Sequence, residues 1–505
     1  MFDNLLIGLN FIIDPINFLI IIAGVLLGVV IGALPGLGTA AGVAILIPVT
    51  LWMNTAQAIS MLGAVYAAGT AGGSITSILF RIPGEAQSAA TLFDGFPMAK
   101  QGKAGRALGL AMTASAIGGT FSAIVLMTVA PQLAKVALKF DQAEYFALAI
   151  FGMSTVTSLG TKNQIKALIS LFIGLFVVTV GLSEVYGVER FTFGSARLRY
   201  GVSYIPVIVG LFGMSEFFRN ASTVVFKKTE YKAQPTRMQF GVIKAFLRMK
   251  ATMIRSILIG TFIGILPGTG GTASSLIAYN EAVRGSKHPE KFGTGYDEGV
   301  AAPEFANNAA TGGAMIPTLT LGIPGSSTTA VIMAAIMSHG LTPGPNLFLF
   351  ENEMVWGIFG GFFAANVIMI FAGLCGVWMF AKVLNVPRAI LNWCIFILCF
   401  IGAFGINNNL LDVWIMFAFG FLGYAMEKYG FPLTPLVLGI ILGPIAENAL
   451  FRGMMLYDSF WSFFTRPISG TLLALAILSS FYPAINTIIQ RIKARASVWS
   501  QSFRH

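Results

Sequence analysis

Gly32-Ala33-Leu34-Pro35-Gly36-Leu37-Gly38-Thr39 and Gly264-Ile265-Leu266-Pro267-Gly268-Thr269-Gly270-Gly271-Thr272 are two versions of one motif, each set among apolar residues. Each is followed by a second cluster: Thr70-Ala71-Gly72-Gly73-Ser74 then Ile82-Pro83-Gly84, and Thr311-Gly312-Gly313 then Ile323-Pro324-Gly325. Pro35 precedes Pro267 by 232 residues, Gly72 precedes Gly312 by 240 and Pro83 precedes Pro324 by 241, so the order is kept across an insertion of about eight residues. Proline removes a backbone donor and breaks the helical ladder; glycine permits unusual dihedrals and close backbone approach. Gly/Pro interruptions at matching places in two apolar halves are the sequence mark of a binding site inside a membrane carrier.

Of the 505 residues, 56% are hydrophobic and 10% charged, with mean hydropathy +0.78. Soluble domains carry about 25% charged residues, so a soluble fold is excluded. Apolar runs recur at 16–33, 107–130, 167–183, 355–381, 389–406 and 430–446, each long enough or nearly so for a bilayer core of about 30 Å. The net charge of +11 sits in short loops between apolar runs, the pattern of the positive-inside rule and not of a nucleic-acid surface. Cys375, Cys394 and Cys399 lie in apolar runs and read as packing residues. The N-terminus lacks the basic region of a signal peptide, so the first apolar segment is expected to be retained.

Residues 222–255 carry eight Lys and Arg against the single acid Glu230 and are assigned to the cytoplasm, as is the basic tail. Matching loops of the two halves carry opposite bias. Residues 1–15 lack bases where the basic linker precedes the second motif, and 52–57 is uncharged where Arg284, Lys287 and Lys291 follow it. Lys100, Lys103 and Arg106 stand beyond the first Ile-Pro-Gly where Glu351 and Glu353 stand beyond the second. The expected fold is therefore an all-α polytopic membrane protein of two inverted-topology repeats, each with a Gly/Pro-tipped hairpin unit and a broken helix. Its parts are a first membrane repeat (1–221), a basic cytoplasmic linker (222–255), a second repeat (256–466) and an extra helix with a basic tail (467–505). The count is roughly eleven crossings plus two hairpins, which are either re-entrant or fully spanning.

A Pro-Gly tip at membrane depth exposes carbonyls and helix-end amides together, which only protein or a water-filled cavity can satisfy. Helix N-termini and hydroxyls suit a carboxylate. Pro35, Gly36, Gly38, Thr39, Ser74, Pro83 and Gly84 are the substrate candidates in the first half, with Pro324, Gly325, Ser326, Ser327 and Thr328 in the second. Carbonyls with side-chain oxygens suit a small cation; its candidates are Gly72, Gly73, Thr269, Gly270, Gly271, Thr272, Asn307, Asn308, Thr311, Gly312 and Gly313. The competing reading is that these glycines only let helices pack closely. Glu304 shares a helix face with Asn307 and is balanced between an intramembrane role and a solvated loop, while Asp297 and Glu298 read as solvated. Arg81 and Glu85 read as a boundary pair, with Arg81 as an alternative carboxylate ligand.

Walker A, His-Glu-x-x-His and Gly-x-Ser-x-Gly patterns are absent and three histidines are scattered, so no catalytic residue, no cofactor and no metal beyond a possible Na⁺ is expected. Bulky continuous runs such as 165–183 and 388–406 contrast with the Gly/Pro-rich 16–99 and 256–345, which suggests a mobile unit sliding on a scaffold as in an elevator.

The paired motifs, together with Tyr66-Ala67-Ala68-Gly69, Glu304-Phe305-Ala306-Asn307-Asn308 and Leu321-Gly322, resemble the large membrane subunit of tripartite tricarboxylate transporters, the TctA type, over essentially the whole chain. The resemblance implies a permease of the bacterial cytoplasmic (inner) membrane driven by Na⁺ or H⁺. It also implies a small four-helix membrane subunit, a periplasmic substrate-binding protein and a small organic-acid substrate; no nucleic-acid partner is expected, from the placement of the basic residues. Against it stand an ion channel or uncoupled pore and, less favoured, a membrane-embedded enzyme.

Overall fold

The computed structural model describes residues 2–34, 36–159, 164–183, 186–222, 241–267, 270–375 and 388–480. The first half runs α1 (Phe2–Ile13), α2 (Pro15–Ala33), α3 (Gly38–Thr50), α4 (Thr55–Phe80), a 3₁₀ turn (Ala86–Ala89), α5 (Leu92–Met98), α6 (Ala104–Ala137), α7 (Gln142–Leu159), α8 (Gln164–Val178), α9 (Tyr204–Ile208) and α10 (Ser215–Ser222). The second runs α11 (Gly241–Arg248), α12 (Lys250–Ile265), α13 (Gly270–Gly285), α14 (Asp297–Leu321), α15 (Ser327–Ser338), α16 (Asn346–Phe350), α17 (Asn352–Cys375), α18 (Arg388–Asn407), α19 (Leu410–Lys428) and α20 (Leu433–Leu456), then α21 (Pro467–Ser480). Helix starts follow local chemistry. Asp14 Oδ1 accepts the N–H groups of Ile16 (3.0 Å) and Asn17 (2.9 Å) ahead of Pro15, and Asn54 with Gln57 forms a capping box on α4.

Among the described residues six helices are long and apolar enough to cross a membrane: Pro15–Ala33, Thr55–Phe80, Leu92–Ala137, Asn352–Ala372, Leu410–Lys428 and Leu433–Leu456. This is a multi-pass, all-helical membrane protein; among the described residues the only sheet is a ribbon pairing Gly181–Leu182 with Glu189–Arg190. Two segments read as flanks carry helices: α1 lies in the base-free N-terminus and α11 in the basic linker. Most of that linker, and the tail beyond 480, lie outside the described residues. Cys399 is buried as expected, whereas Cys394 is exposed.

The chain forms two compact units, Met1–Lys139 with Val202–Leu433, and Phe140–Gly201 with Thr434–His505. In the first, packing is reciprocal between the halves. α2 lies on α4 as α12 lies on α14; α6 packs on α14 as α17 packs on α4; and α3 meets α15 as α13 meets the 3₁₀ turn. Glycines set the closest approaches. A Cβ on Gly28 or Gly32 would lie 2.7 or 1.9 Å from the carbonyl oxygen of Val65 or Gly69; on Gly260 or Gly264 it would lie 2.2 or 2.4 Å from that of Ala306 or Ala310. Gly72 likewise faces the Val29 carbonyl and Gly313 that of Thr261. These pairs keep an offset of 232 residues on the hairpin helix and 241 on its partner, so Gly72 corresponds to Gly313, one residue beyond the sequence pairing with Gly312.

In the second unit α8 packs on α20 through Gly174 and Gly439, each against the other helix's backbone. Ala143, Ala147, Phe463 and Leu473 form a small core. Beside it, Arg466 joins Asp141 (3.2 Å) and the buried Glu144 (2.9 Å), while the Tyr457 hydroxyl donates to Asp141 (2.7 Å). The Asp141 carboxyl is held below its ordinary range, first by that Tyr457 hydrogen bond and further by Arg466.

Candidate functional site

The site begins where helices end. α2 stops at Leu34 and α12 at Leu266, each in extended backbone with its N–H on the carbonyl three residues back, at 3.1 Å in both. α3 and α13 then restart at Gly38 (φ +66°) and Gly270 (φ +61°), left-handed positions that glycine accommodates. α4 and α14 end alike. Arg81 (φ +60°) and Gly322 (φ +68°) are left-handed caps, and the N–H of Ile82 or Ile323 returns to the carbonyl of Thr76 (3.4 Å) or Pro317 (3.3 Å). The helix breaks are thus at the Ile-Pro-Gly segments. At Gly72–Gly73 and Gly312–Gly313 the helices are continuous, so those glycines free no carbonyls by a break; Gly72, Gly312 and Gly313 lie tight against neighbouring elements.

Each hairpin restart meets the Pro-Gly segment of the other half. At α3, the Thr39 hydroxyl is 3.2 Å from that of Thr328, and the Thr39 N–H donates to Glu85 Oε2 at 2.8 Å. Tyr66, on α4, places its hydroxyl 3.0 Å from Ser326 Oγ. At α13, a Cβ on Gly271 would lie 2.0 Å from Gln87 Oε1 and 3.1 Å from Asn307 Oδ1. Glu85 and Gln87 are two residues apart, so one short segment touches both hairpins. Arg219 of α10 donates to the Gly36 carbonyl and pairs with Glu216.

Beside Gly271 lies a buried polar group without a basic partner. Glu304 is fully buried; its Oε1 accepts the Thr91 hydroxyl at 2.5 Å, while Oε2 has no hydrogen-bond partner. Both amide atoms of the buried Asn307, and Gln87 Oε1, are also unpartnered. Asn308 and Thr311 turn elsewhere. The Thr311 hydroxyl donates to the Asn308 carbonyl (2.7 Å) and lies 3.0 Å from its Oδ1, and Asn308 Nδ2 reaches Asn366 Oδ1 on α17 at 3.4 Å.

Of the remaining candidates, Ser326 caps α15 in a capping box with Thr329, and Ser327 is the first residue of that helix. The Ser74 hydroxyl is taken by the Ala71 carbonyl of its own helix at 2.6 Å. Gly84 is buried with its N–H on the Gly73 carbonyl (3.2 Å), Pro83 is exposed, and Pro324 and Gly325 are buried. Thr272 is half-buried one residue beyond Gly271. Pro35, Gly268 and Thr269 lie outside the described residues.

Several acids are placed differently from expectation. Glu304 is in the interior and not in a solvated loop. Asp297 is paired with Arg106 and Glu298 is buried on Thr252 and Ser286, so neither is a free loop acid. Glu85 reaches α3 and not Arg81, whose guanidinium lies 5.8 Å from the Phe96 ring centre. Asp94, which had no pattern to mark it, is fully buried and accepts the N–H groups of Gly293 (3.0 Å), Gly295 (2.9 Å) and Tyr296 (2.8 Å) and the Tyr279 hydroxyl (2.9 Å). It fastens the turn that starts α14.

No solved structure matches the chain. It is 37% identical over 479 residues, 94% of this chain and 95% of the relative, to an uncharacterized 52.8 kDa protein in the TAR-I ttuC' 3' region of Agrobacterium vitis. An uncharacterized protein in the TAR-II ttuC' 3' region of the same organism is 38% identical over 220 residues, 43% of this chain and 91% of the relative. The family model described as tripartite tricarboxylate transporter TctA matches residues 18–438, a stretch that holds both hairpins and both Pro-Gly breaks, and the chain belongs to that family.

Proposed function

We propose that this protein is the large permease subunit of a binding-protein-dependent tripartite transporter, taking up a di- or tricarboxylate across the bacterial inner membrane in symport with Na⁺, or alternatively H⁺. The observation that carries the reading is the reciprocal meeting of hairpin starts and Pro-Gly breaks: Thr39 with Thr328, Gly271 with Gln87. Helix starts offer N–H groups and a positive dipole end to a carboxylate. On that basis the substrate binds on the Thr39, Ser326 and Thr328 side and the ion near Asn307.

The matched packing of the halves, with the opposite charge of their flanking loops, supports an inverted repeat. The contrast between the Gly/Pro-rich 16–99 and 256–345 and the bulky continuous runs supports an elevator-like movement of those two stretches together, and the basic tail supports a cytoplasmic C-terminus. The partners are a small four-helix membrane subunit and a periplasmic binding protein that captures the organic acid. Counterflow is the test: liposomes containing the protein and preloaded with unlabelled substrate should accumulate label transiently. A pore gives equilibration without overshoot, and a chemically altered substrate would mean an enzyme. The compound itself is identified by what the cognate binding protein retains.

A further inference from the structure

We infer that Glu304, Asn307 and Gln87 form a site for one monovalent metal cation, with Glu304 as its charged ligand. Its purpose rests on the permease reading; its measurement does not. Glu304 sits within α14 with no exposed surface, and its neighbours are neutral: Thr91 on Oε1, with Ser115 and Asn307 alongside. Among the described residues no Lys, Arg or His forms an ion pair with it. A buried carboxylate without a counter-charge is strongly unfavourable. Polar atoms left unmatched together in a native interior call for a missing partner.

Here the unmatched atoms are Glu304 Oε2, the Asn307 amide and Gln87 Oε1. A Cβ on Gly271 would lie 2.0 Å from Gln87 Oε1 and 3.1 Å from Asn307 Oδ1, so it is glycine that lets these two oxygens come together against the start of α13. Hard oxygen donors of this kind suit an alkali cation. A single carboxylate balances a single positive charge and leaves a divalent ion half compensated. The positive end of α13 opposes a cation, but its half-charge is smaller than the full charge on Glu304.

The site also joins the halves. Gln87 follows the first Pro-Gly break, whereas Glu304 and Asn307 belong to the second half. A bound cation therefore ties the segment that reaches Thr39 through Glu85 to the helix beside the second hairpin.

The test is thermal unfolding of the purified full chain in detergent, titrated with NaCl, LiCl or KCl against choline chloride at constant ionic strength. A ligand that binds only the folded form raises the melting temperature with the logarithm of its concentration once that exceeds the dissociation constant. The wild type should show that rise with at least one alkali cation. Glu304→Gln should abolish it, and Asn307→Ala and Gln87→Ala should each shift the concentration at which the rise begins upward by about tenfold, the size of one lost ligand. Should Glu304→Gln not fold, the two neutral variants decide alone. A wild-type protein indifferent to all three cations, or Asn307→Ala and Gln87→Ala both beginning their rise at the wild-type concentration, would overturn the site. Counterflow separates the two proposals: exchange without a cation-dependent shift removes this site and keeps the permease, and the reverse outcome does the opposite.

Discussion

Arg81 and Gly322 hold the same left-handed cap 241 residues apart, yet only one is glycine. A non-glycine residue there costs about 1–2 kcal/mol, part of which glycine returns as unfolded-state entropy. Arg81→Gly should therefore stabilise the protein by about 0.5–1 kcal/mol, read as a higher melting temperature. The reverse change, Gly322→Ala, meets the Pro343 carbonyl at 2.9 Å and should lower it. Asp94→Ala would leave three part-buried N–H groups without their acceptor and should cost about 1–3 kcal/mol, seen as lost abundance and early unfolding. Asn307 was legible in the sequence because it adjoins a repeated motif. Glu85, Gln87 and Asp94 were not, since each acts on a residue between 46 and about 200 positions away and no local spacing records such a contact.

Among the elements, the helix pairs α2–α4 and α12–α14 depend on absent side chains. Gly32→Ala forces a Cβ to 1.9 Å from the Gly69 carbonyl and Gly264→Ala to 2.4 Å from that of Ala310. Each should destabilise by about 1–3 kcal/mol or more through overpacking. Gly405→Ala, with nothing within 4 Å, should be neutral or slightly stabilising in the same melting assay. The close-packing reading of these glycines, which the sequence left beside the site reading, thus accounts for Gly72 and Gly313, while Gly38, Gly270 and Gly271 stand where chains restart. Sequence pattern could not divide them because both uses select the same residue. In the second unit, Asp141 has a lowered carboxyl pKa, so its contribution is complete above its ordinary value near 3.8 and is lost as pH falls through the depressed one. Acid unfolding of the wild type below pH 4 should include a component that Tyr457→Phe removes.

For the whole molecule, the repeat was readable because apolar length and Gly/Pro order survive where individual residues do not. Its register was readable only to within a residue, until the Gly72 and Gly313 contacts fixed it. The helices α1 and α11 escaped because neither is a long apolar run of spanning length. The elevator proposal is testable at the boundary where Ile45 of α3 meets Gly213, whose added Cβ would lie 3.0 Å from Ile45 Cγ1. That spacing is compatible with a disulfide. Ile45→Cys with Gly213→Cys, in a chain whose native cysteines are replaced because Cys399 adjoins Gly213, should block transport when oxidised and recover on reduction. Undiminished transport in the oxidised protein would reject sliding at this boundary.

The hydrogen bond from the Thr39 N–H to Glu85 bears on the return stroke of an unloaded carrier. A carrier that releases its cargo inside must come back with nothing bound, and a bare helix start would then expose an unmet donor in a dry passage. Under the proposed function Glu85 would be a tethered stand-in that covers this donor when no substrate is bound. Glu85→Ala should accordingly leave one-for-one exchange of substrate nearly intact while slowing net uptake, so the ratio of the two rates measures how much the return journey depends on that one side chain.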